Sequence, residues 1–261
     1  MKQINIIFLC FFLSCTNSPK DDEIPTKPIS QETALKDAVN QYPDSLFLLE
    51  NLLGYYADAQ NYDSALSAVN KAIEKDNTNP GLYDMQSVIL AAKGDTAGAI
   101  RSLEKAIIIY PAPLLIISLG ALYAQTKNPL ALEMSDALLI GNKARAEKEA
   151  YFIKGLYYSF NDQKEKAIPF FDQAIRTDFQ FMEAYLEKGL ALYDIKKYKE
   201  SIEVFSRAVT LQNNFDRGYF YLGRSYEKVN RTTEARQAYE KALMYDPNYE
   251  EAKQALEKLG G

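Results

Sequence analysis

Few side chains in this 261-residue chain could perform catalysis or bind a metal ion. It contains no histidine, the commonest general base and the commonest metal ligand in proteins. Its only cysteines, Cys10 and Cys15, lie near the N-terminus, so neither a disulfide framework nor a zinc site is available. The carboxylates are scattered without a recognisable acid–base pair, and no glycine-rich phosphate loop occurs. We therefore expect no enzymatic activity, no cofactor and no metal site.

Cys15 has a chemistry of its own. Residues 1–14 contain one lysine and an apolar run from Ile4 to Leu13, which is too short to span a bilayer and is typical of a secretory signal. Residues 12–15 (Phe-Leu-Ser-Cys) resemble a bacterial lipobox, where the signal is cut before a cysteine that then carries lipid such as palmitate. The resemblance implies a lipid anchor at Cys15. The alternative is an ordinary signal peptide that is cleaved elsewhere.

Residues 15–31 are polar and contain prolines, which predicts a flexible tether. Within them, residues 20–23 (Lys-Asp-Asp-Glu) resemble the lysine-plus-acidic export signal of surface lipoproteins from some Gram-negative bacteria. The alternative is a solvated charge cluster in a linker. We expect a protein that is lipid-anchored in the outer membrane, and the export resemblance favours its exposure at the cell surface.

The rest of the chain repeats itself at a period of 34 residues. Three copies share an aromatic residue, a glycine and a second small residue at constant spacing. These residues are Tyr151, Gly155 and Ala167; Tyr185, Gly189 and Ser201; and Tyr219, Gly223 and Ala235. A fixed helical period is typical of a solenoid. We predict that these residues pack the helices together, because small residues allow a close approach and aromatic residues fill the layer between repeats.

The repeat resembles the tetratricopeptide repeat (TPR), in which an aromatic residue, leucine-glycine and tyrosine precede alanine, an aromatic residue, alanine and proline. The last copy matches at Tyr219, Leu222, Gly223, Tyr226, Ala235, Tyr239, Ala242 and Pro247. The resemblance implies an all-α fold, a right-handed α-solenoid of helix–turn–helix repeats.

We predict that the solenoid covers residues 32–261. It would have an N-terminal cap helix at 32–43, about six repeats at 46–247 and a polar C-terminal cap helix at 249–259. The register stays open in two repeats. At 46–79, Gly54 lies one place late for the glycine position, and at 113–147 the second helix (Ala131, Ser135, Leu138) lies one residue early. The apolar sequence of 113–147 fits burial, which we favour, or an exposed surface for a partner.

A TPR solenoid implies a concave face that is lined by the first helix of each pair and binds protein or peptide. The register places seven residues outside the core on that face: Phe152, Leu156, Leu186, Leu190, Tyr193, Phe220 and Arg224. The alternative is that several of them pack against a neighbouring repeat. The lysine, asparagine and arginine clamp of TPR domains that bind chaperone C-termini does not match here.

These patterns predict a lipid-anchored cell-envelope scaffold for protein or peptide partners. A net charge of −5 disfavours nucleic acid as a partner. The runner-up is a periplasm-facing adaptor subunit of an outer-membrane assembly complex. A carbohydrate- or wall-processing enzyme is the contrasting class, and it would need a carboxylate pair that meets in one cleft.

Overall fold

The computed structural model describes residues 30–141 and 143–260, and every regular element within them is an α-helix. The helices are α1 (Gln31–Gln41), α2 (Leu46–Asp58), α3 (Tyr62–Lys75), α4 (Pro80–Ala92), α5 (Thr96–Ile109), α6 (Pro113–Gln125), α7 (Leu130–Gly141), α8 (Lys143–Phe160), α9 (Lys164–Thr177), α10 (Met182–Asp194), α11 (Tyr198–Leu211), α12 (Asp216–Lys228), α13 (Thr232–Tyr245) and α14 (Glu250–Lys258). The all-α prediction is confirmed. The predicted signal peptide, Cys15, the export motif and nearly all of the tether lie outside the described residues.

Helices α2 to α13 form six consecutive packed pairs, with α1 and α14 at the two ends. Helix α8 bends at Ala146, whose φ of −131° is not helical, so the part that follows this residue acts as the first helix of the fourth pair. None of the helices in the described ranges is both long and apolar enough to cross a membrane.

The turn inside each pair contains one residue in the left-handed conformation. These residues are Gln60, Gly94, Lys127, Asp162, Lys196 and Asn230, with φ between 54° and 88°. In five of the six turns a completely buried alanine or serine lies five positions later, as Ser201 follows Lys196. Ala131 follows Lys127 after only four. This shorter turn explains why the second helix at 113–147 runs one residue early, and it still buries Ala131 completely.

Close contact between the two helices of a pair is made at Gly189 and Gly223, the eighth residues of α10 and α12, and at the equivalent Gly155, the thirteenth residue of the bent α8. A Cβ atom added at Gly223 would lie 2.6 Å from Cε1 of Tyr239, and atoms added at Gly155 or Gly189 would be closer still to Phe171 or Phe205. No side chain fits at these glycines unless the ring opposite moves. The aromatic side chain of the second helix occupies the space instead.

The first pair makes the equivalent contact, but here the first helix contributes the larger side chain. Leu53 is the eighth residue of α2 and is buried, together with Val69 of α3, in one core cluster. Gly54 follows it, faces solvent and has no atom within 4 Å of an added Cβ. The register of this repeat is therefore set by Leu53, and Gly54 is not the packing glycine.

The first helices of successive pairs approach one another: α6 contacts α8, α8 contacts α10, and α10 contacts α12. Second helices of successive pairs make at most marginal contact in the described part of the chain. The stack therefore curves with its first helices on the inner, concave side. The apolar sequence of 113–147 is mostly buried, at Leu115, Ile116, Leu119 and Leu138, but Leu114 and Ile140 are exposed.

We expect the substitution of glycine by alanine to have opposite effects at Gly54 and Gly189. Gly54→Ala should stabilise the protein by about 0.5–1 kcal/mol, because alanine is the better helix former and meets no atom. Gly189→Ala should destabilise it by about 1–3 kcal/mol, because the methyl group collides with the Phe205 ring. Urea unfolding followed by circular dichroism compares the two variants. Equal shifts of the midpoint would contradict the assigned contacts.

Candidate partner-binding groove

The first helices α8, α10 and α12 carry the residues that were predicted to bind a partner. Four of the seven, Phe152, Leu190, Tyr193 and Arg224, are partly exposed. Two of these, Tyr193 in α10 and Arg224 in α12, meet across the boundary between two pairs, where an Nη of Arg224 donates a 3.4 Å hydrogen bond to Oη of Tyr193.

The Arg224 guanidinium lies among aromatic rings. Its central carbon is 5.1 Å from the ring centroid of Tyr193 and 5.9 Å from those of Phe220 and Tyr221. A guanidinium among ring faces is held by cation–π attraction. It carries five N–H donors, of which the structure shows one in use within the described residues. The others can donate to a carbonyl or carboxylate of a partner. Tyr221, which the sequence analysis did not single out, completes this arrangement.

Three of the predicted groove residues are packing residues. Leu156, Leu186 and Phe220 are buried, so they offer no open surface to a partner, and this corrects their placement in the groove. The Phe220 ring lies 4.8 Å from that of Tyr249 and 5.8 Å from that of Tyr239, centroid to centroid. These three residues follow the alternative that was considered for the groove positions, which is packing against a neighbouring repeat.

The other two predicted groove residues are half-buried at the wall of the groove. Phe152 lies against Phe171 and Phe181, with ring centroids 5.8 Å and 5.0 Å away. Leu190 packs against the C-terminal core cluster with part of its side chain in solvent. A partner could therefore contact Leu190, Tyr193 and Arg224 together, whereas Phe152 mainly supports the fourth pair.

The predicted packing residues lie between the helices. Eight are buried and Tyr151 is partly buried; the buried ones are Gly155, Ala167, Tyr185, Gly189, Ser201, Tyr219, Gly223 and Ala235. Ser201 adds a polar link that the sequence pattern did not reveal. Its hydroxyl donates to the Gly189 carbonyl at 3.0 Å and lies 3.0 Å from the hydroxyl of Ser225, which joins α11 to the helices on both sides.

Burial raises the pKa of several ionisable groups near the groove. Burial, and then the hydrogen bond to the Glu227 carboxylate, raises the pKa of Tyr239 far above its ordinary value, so its hydroxyl stays a donor to Glu227. Burial raises the pKa of Tyr249 to about 12. Burial also raises the pKa of Glu187 in α10, an effect that Lys164 and Arg217 partly offset.

A second opening lies at the N-terminal end of the concave side. A shallow cleft of about 730 Å³ lies between α1 and α2 and is lined by Glu50, Asn51, Gly54, Tyr55 and Asp58, among others. The sequence analysis did not single it out, although an exposed glycine in the middle of a helix is a signal for such an opening. The described residues contain no group of three or more cysteine, aspartate or glutamate side chains that could hold a metal ion.

We expect removal of the hydroxyl group to change the stability of the protein differently at two buried tyrosines. Tyr239→Phe should cost about 1–3 kcal/mol of stability, because it removes a buried donor to the Glu227 carboxylate. Tyr185→Phe should be neutral or stabilising, because its buried hydroxyl has no hydrogen-bond partner among the described residues. The measurement is urea unfolding of both variants at pH 7. A larger loss from Tyr185→Phe would contradict these hydrogen-bond assignments.

Two tetratricopeptide-repeat family models match the chain, over residues 154–214 and 216–249. No curated protein sequence matches. Among solved structures, a tetratricopeptide repeat protein from Parabacteroides merdae ATCC 43184 is similar at 18% identity and a TM-score of 0.69, over 88% of this chain and 91% of that chain.

Two further structures are similar in fold. PilW, described as a widely conserved type IV pilus biogenesis factor, has 16% identity and a TM-score of 0.64 over 80% of this chain and 97% of its own. A chain of the APC/C hetero-tetramer Cut9–Hcn1 has 16% identity and a TM-score of 0.60, over 88% of this chain and 46% of that chain. These similarities confirm the predicted α-solenoid. The tetratricopeptide-repeat models match residues 154–214 and 216–249, and the helix pairs that precede them continue the same solenoid.

Proposed function

We propose that the protein is a lipid-anchored scaffold of the cell envelope that binds a protein or peptide partner on the concave side of its C-terminal repeats. TPR proteins in general bind protein or peptide partners, and the solenoid offers a recognition surface rather than a catalytic cleft. The observation that carries the groove proposal is the Arg224 guanidinium, held among Tyr193, Phe220 and Tyr221 with N–H donors to spare.

The groove favours a partner with an apolar side chain next to a backbone carbonyl or a carboxylate. Leu190 provides an aliphatic contact in α10, Tyr193 an aromatic wall, and Arg224 a fixed cation in α12. Aromatic residues and arginine are the residue types that contribute most to protein recognition. Leu190 and Arg224 occupy the same place in successive repeats, so one extended or helical peptide segment could contact both.

The anchor proposal rests on the sequence alone. The apolar run of residues 4–13 and the lipobox-like residues 12–15 support lipidation at Cys15, and residues 20–23 support export to the cell surface. An envelope location would place the groove where it can gather partners beside the membrane. The alternative is a periplasm-facing adaptor subunit of an outer-membrane assembly complex, which would place the solenoid on the inner side of the outer membrane and take its partners from that complex.

Photo-crosslinking in cells tests the groove. Replacement of Leu190 by p-benzoylphenylalanine should give covalent partner adducts, whereas the same replacement at the exposed Met244, at the end of the second helix α13, should give few. Arg224→Ala, combined with the crosslinking replacement of Leu190, should reduce the adducts by about tenfold or more. This is the loss expected for a hot-spot contact. Unchanged helical circular dichroism would show that the variant is folded. Equal adducts from both positions would reject this groove.

Fractionation of cells after a high-salt wash tests the anchor. Cys15→Ala should move the protein from the membrane to the soluble fraction, because stable attachment through the N-terminus would require the lipid. Cys10→Ala is the matched control and should leave the protein in the membrane fraction, since this residue lies in the predicted signal segment. Retention of the Cys15→Ala protein on washed membranes would contradict the anchor without affecting the groove.

A further inference from the structure

The concave side of the first three helix pairs differs in charge from that of the last three. The first helices α2, α4 and α6 contain no lysine or arginine, and their only charged side chains are Glu50, Asp58 and Asp84. Each of α8, α10 and α12 contains at least one cation. We call the concave side of α2, α4 and α6 the N-terminal face, and it is defined by Phe47, Glu50, Gly54, Asp58, Asp84, Val88 and Leu114.

The place of each carboxylate follows from the packing position of its helix. Glu50 lies three residues before Leu53, the eighth residue of α2, and Asp84 lies three residues before Ser87, the eighth residue of α4. Asp58 is about 12 Å beyond Glu50 along the axis of α2. Glu50 and Asp58 line the same cleft at the N-terminal end of the concave side.

Exposed apolar side chains lie on the same face. Phe47 and Leu114 each lie six residues before the packing position of their helix, and they are 68% and 76% exposed. Val88 directly follows the packing position of α4, as Leu190 does in α10, and is 64% exposed. Neighbouring helices among α2, α4 and α6 make at most marginal contact in the described part of the chain, so the face is open.

The three carboxylates are not neutralised by the protein. None of Glu50, Asp58 and Asp84 forms an ion pair or a side-chain hydrogen bond within residues 30–141 and 143–260. Asp84 is partly buried, and burial raises the pKa of its carboxyl. The described lining of the cleft beside α2 holds two carboxylates and no cation. Lys36 of the adjoining α1 is ion-paired with Glu32.

The cations that border the N-terminal face are committed elsewhere. Lys93, which follows α4, forms an ion pair with Asp63 at 2.6 Å, and Lys127, which follows α6, forms one with Asp162 at 3.2 Å. Arg145 precedes the bend of α8 and so lies outside the first helix of the fourth pair. The cations after the bend are also ion-paired, Lys148 with Asp178 and Lys154 with Asp136.

We propose that the N-terminal face binds a partner segment that carries lysine or arginine beside apolar side chains. The cations would contact Glu50, Asp58 and Asp84, and the apolar side chains would pack on Phe47 and Val88. The inference rests on the proposed role of the solenoid as a scaffold for protein partners. It does not rest on the Arg224 groove, which lies in other repeats and is cationic.

Other occupants fit this face less well. Nucleic acid and anionic lipid would be repelled by its carboxylates. A second copy that met it through a two-fold contact would place carboxylates against carboxylates. A wholly apolar segment would bury the same carboxylates without a partner, which is unfavourable. The described residues offer no group of three carboxylates for a metal ion.

Fluorescence anisotropy with a designed peptide tests the proposal in the full chain. The probe is a labelled peptide of sequence Leu-Lys-Leu-Ser-Leu-Lys-Leu, whose lysines lie about 13 Å apart when it is extended. This separation is close to that of Glu50 and Asp58 along α2. The control peptide has glutamine in place of both lysines.

Removal of the three carboxylates should weaken binding of the lysine peptide by about tenfold or more at low ionic strength, because three ion pairs are lost. The variant is Glu50→Gln with Asp58→Asn and Asp84→Asn. Its matched control removes three exposed carboxylates from other helices, by Asp37→Asn, Glu74→Gln and Glu133→Gln, and should change the affinity by less than about twofold. Arg224→Ala should leave the affinity unchanged, which separates this face from the groove.

A single tryptophan locates the bound peptide. The protein contains no tryptophan, so Val88→Trp introduces one probe on the N-terminal face, and Ile108→Trp introduces one at an exposed position in the second helix α5. On addition of the lysine peptide, we expect the emission of the Val88→Trp probe to shift to shorter wavelength and that of the Ile108→Trp probe to stay unchanged.

Several results would overturn the proposal. Equal weakening by the two triple variants would show general attraction to an acidic protein, and equal affinity for the glutamine peptide would show that charge is not recognised. Binding without a shift of the Val88→Trp probe would place the peptide elsewhere, and no binding below about 1 mM would reject the face as a docking site. Self-association in analytical ultracentrifugation that the Glu50, Asp58 and Asp84 substitutions abolish would assign the face to a second copy.

Discussion

The close approach of the two helices in each pair is the constraint on which the solenoid depends. At the level of Gly155, Gly189 and Gly223 the first helix leaves no room for a Cβ atom, and an aromatic ring of the second helix fills the space. The first pair keeps the same level with Leu53 and Val69. Protein interiors are close-packed, so this level must be filled, but the bulk can come from either helix or, at Gly120 in the third pair, from Ile153 of the next pair. The helices can then stack at a constant spacing while the sequence changes.

This constraint separates the residues that build the solenoid from those that can recognise a partner. The residue that directly follows the packing glycine of the first helix shows the separation. It is Leu156 in the fourth pair, where it is buried, Leu190 in the fifth, where it is half-buried, and Arg224 in the sixth, where it is charged and partly exposed. From Leu190 to Arg224, the two of these residues that are accessible, the groove therefore changes from apolar to cationic. A surface graded in this way would favour one direction of a bound peptide over the other.

The repeat predicted the helices well because backbone requirements recur with the period. The packing glycines and the buried alanine at Ala235 follow from spacing alone. The burial of Leu156, Leu186 and Phe220 was not predictable from spacing, because it depends on contacts with other helices. The Phe220 ring, for example, packs against Tyr239 of α13 and against Tyr249. Tyr193 and Phe220 were predicted to share the groove with Arg224, but the direct contact between Tyr193 and Arg224, which are 31 residues apart, is a tertiary one that spacing did not reveal. The exposed Gly54 was the misleading signal in the first repeat, because it flanks the packing position without contributing to it.

Helix α1 has no buried residue, and its specific links to the next helices are few: the Tyr56 hydroxyl donates to Glu32 at 3.1 Å, and Lys36 lies 5.9 Å from the Tyr56 ring. Mechanical tension on the chain before Ser30 would therefore act first on the weakest unit of the stack. Nearest-neighbour stacks lose their units from the end, one by one. Under such a load α1 would peel away and lengthen the connection, while the repeats around Arg224 would stay folded. Helix α1 would then detach under a load that leaves the groove intact.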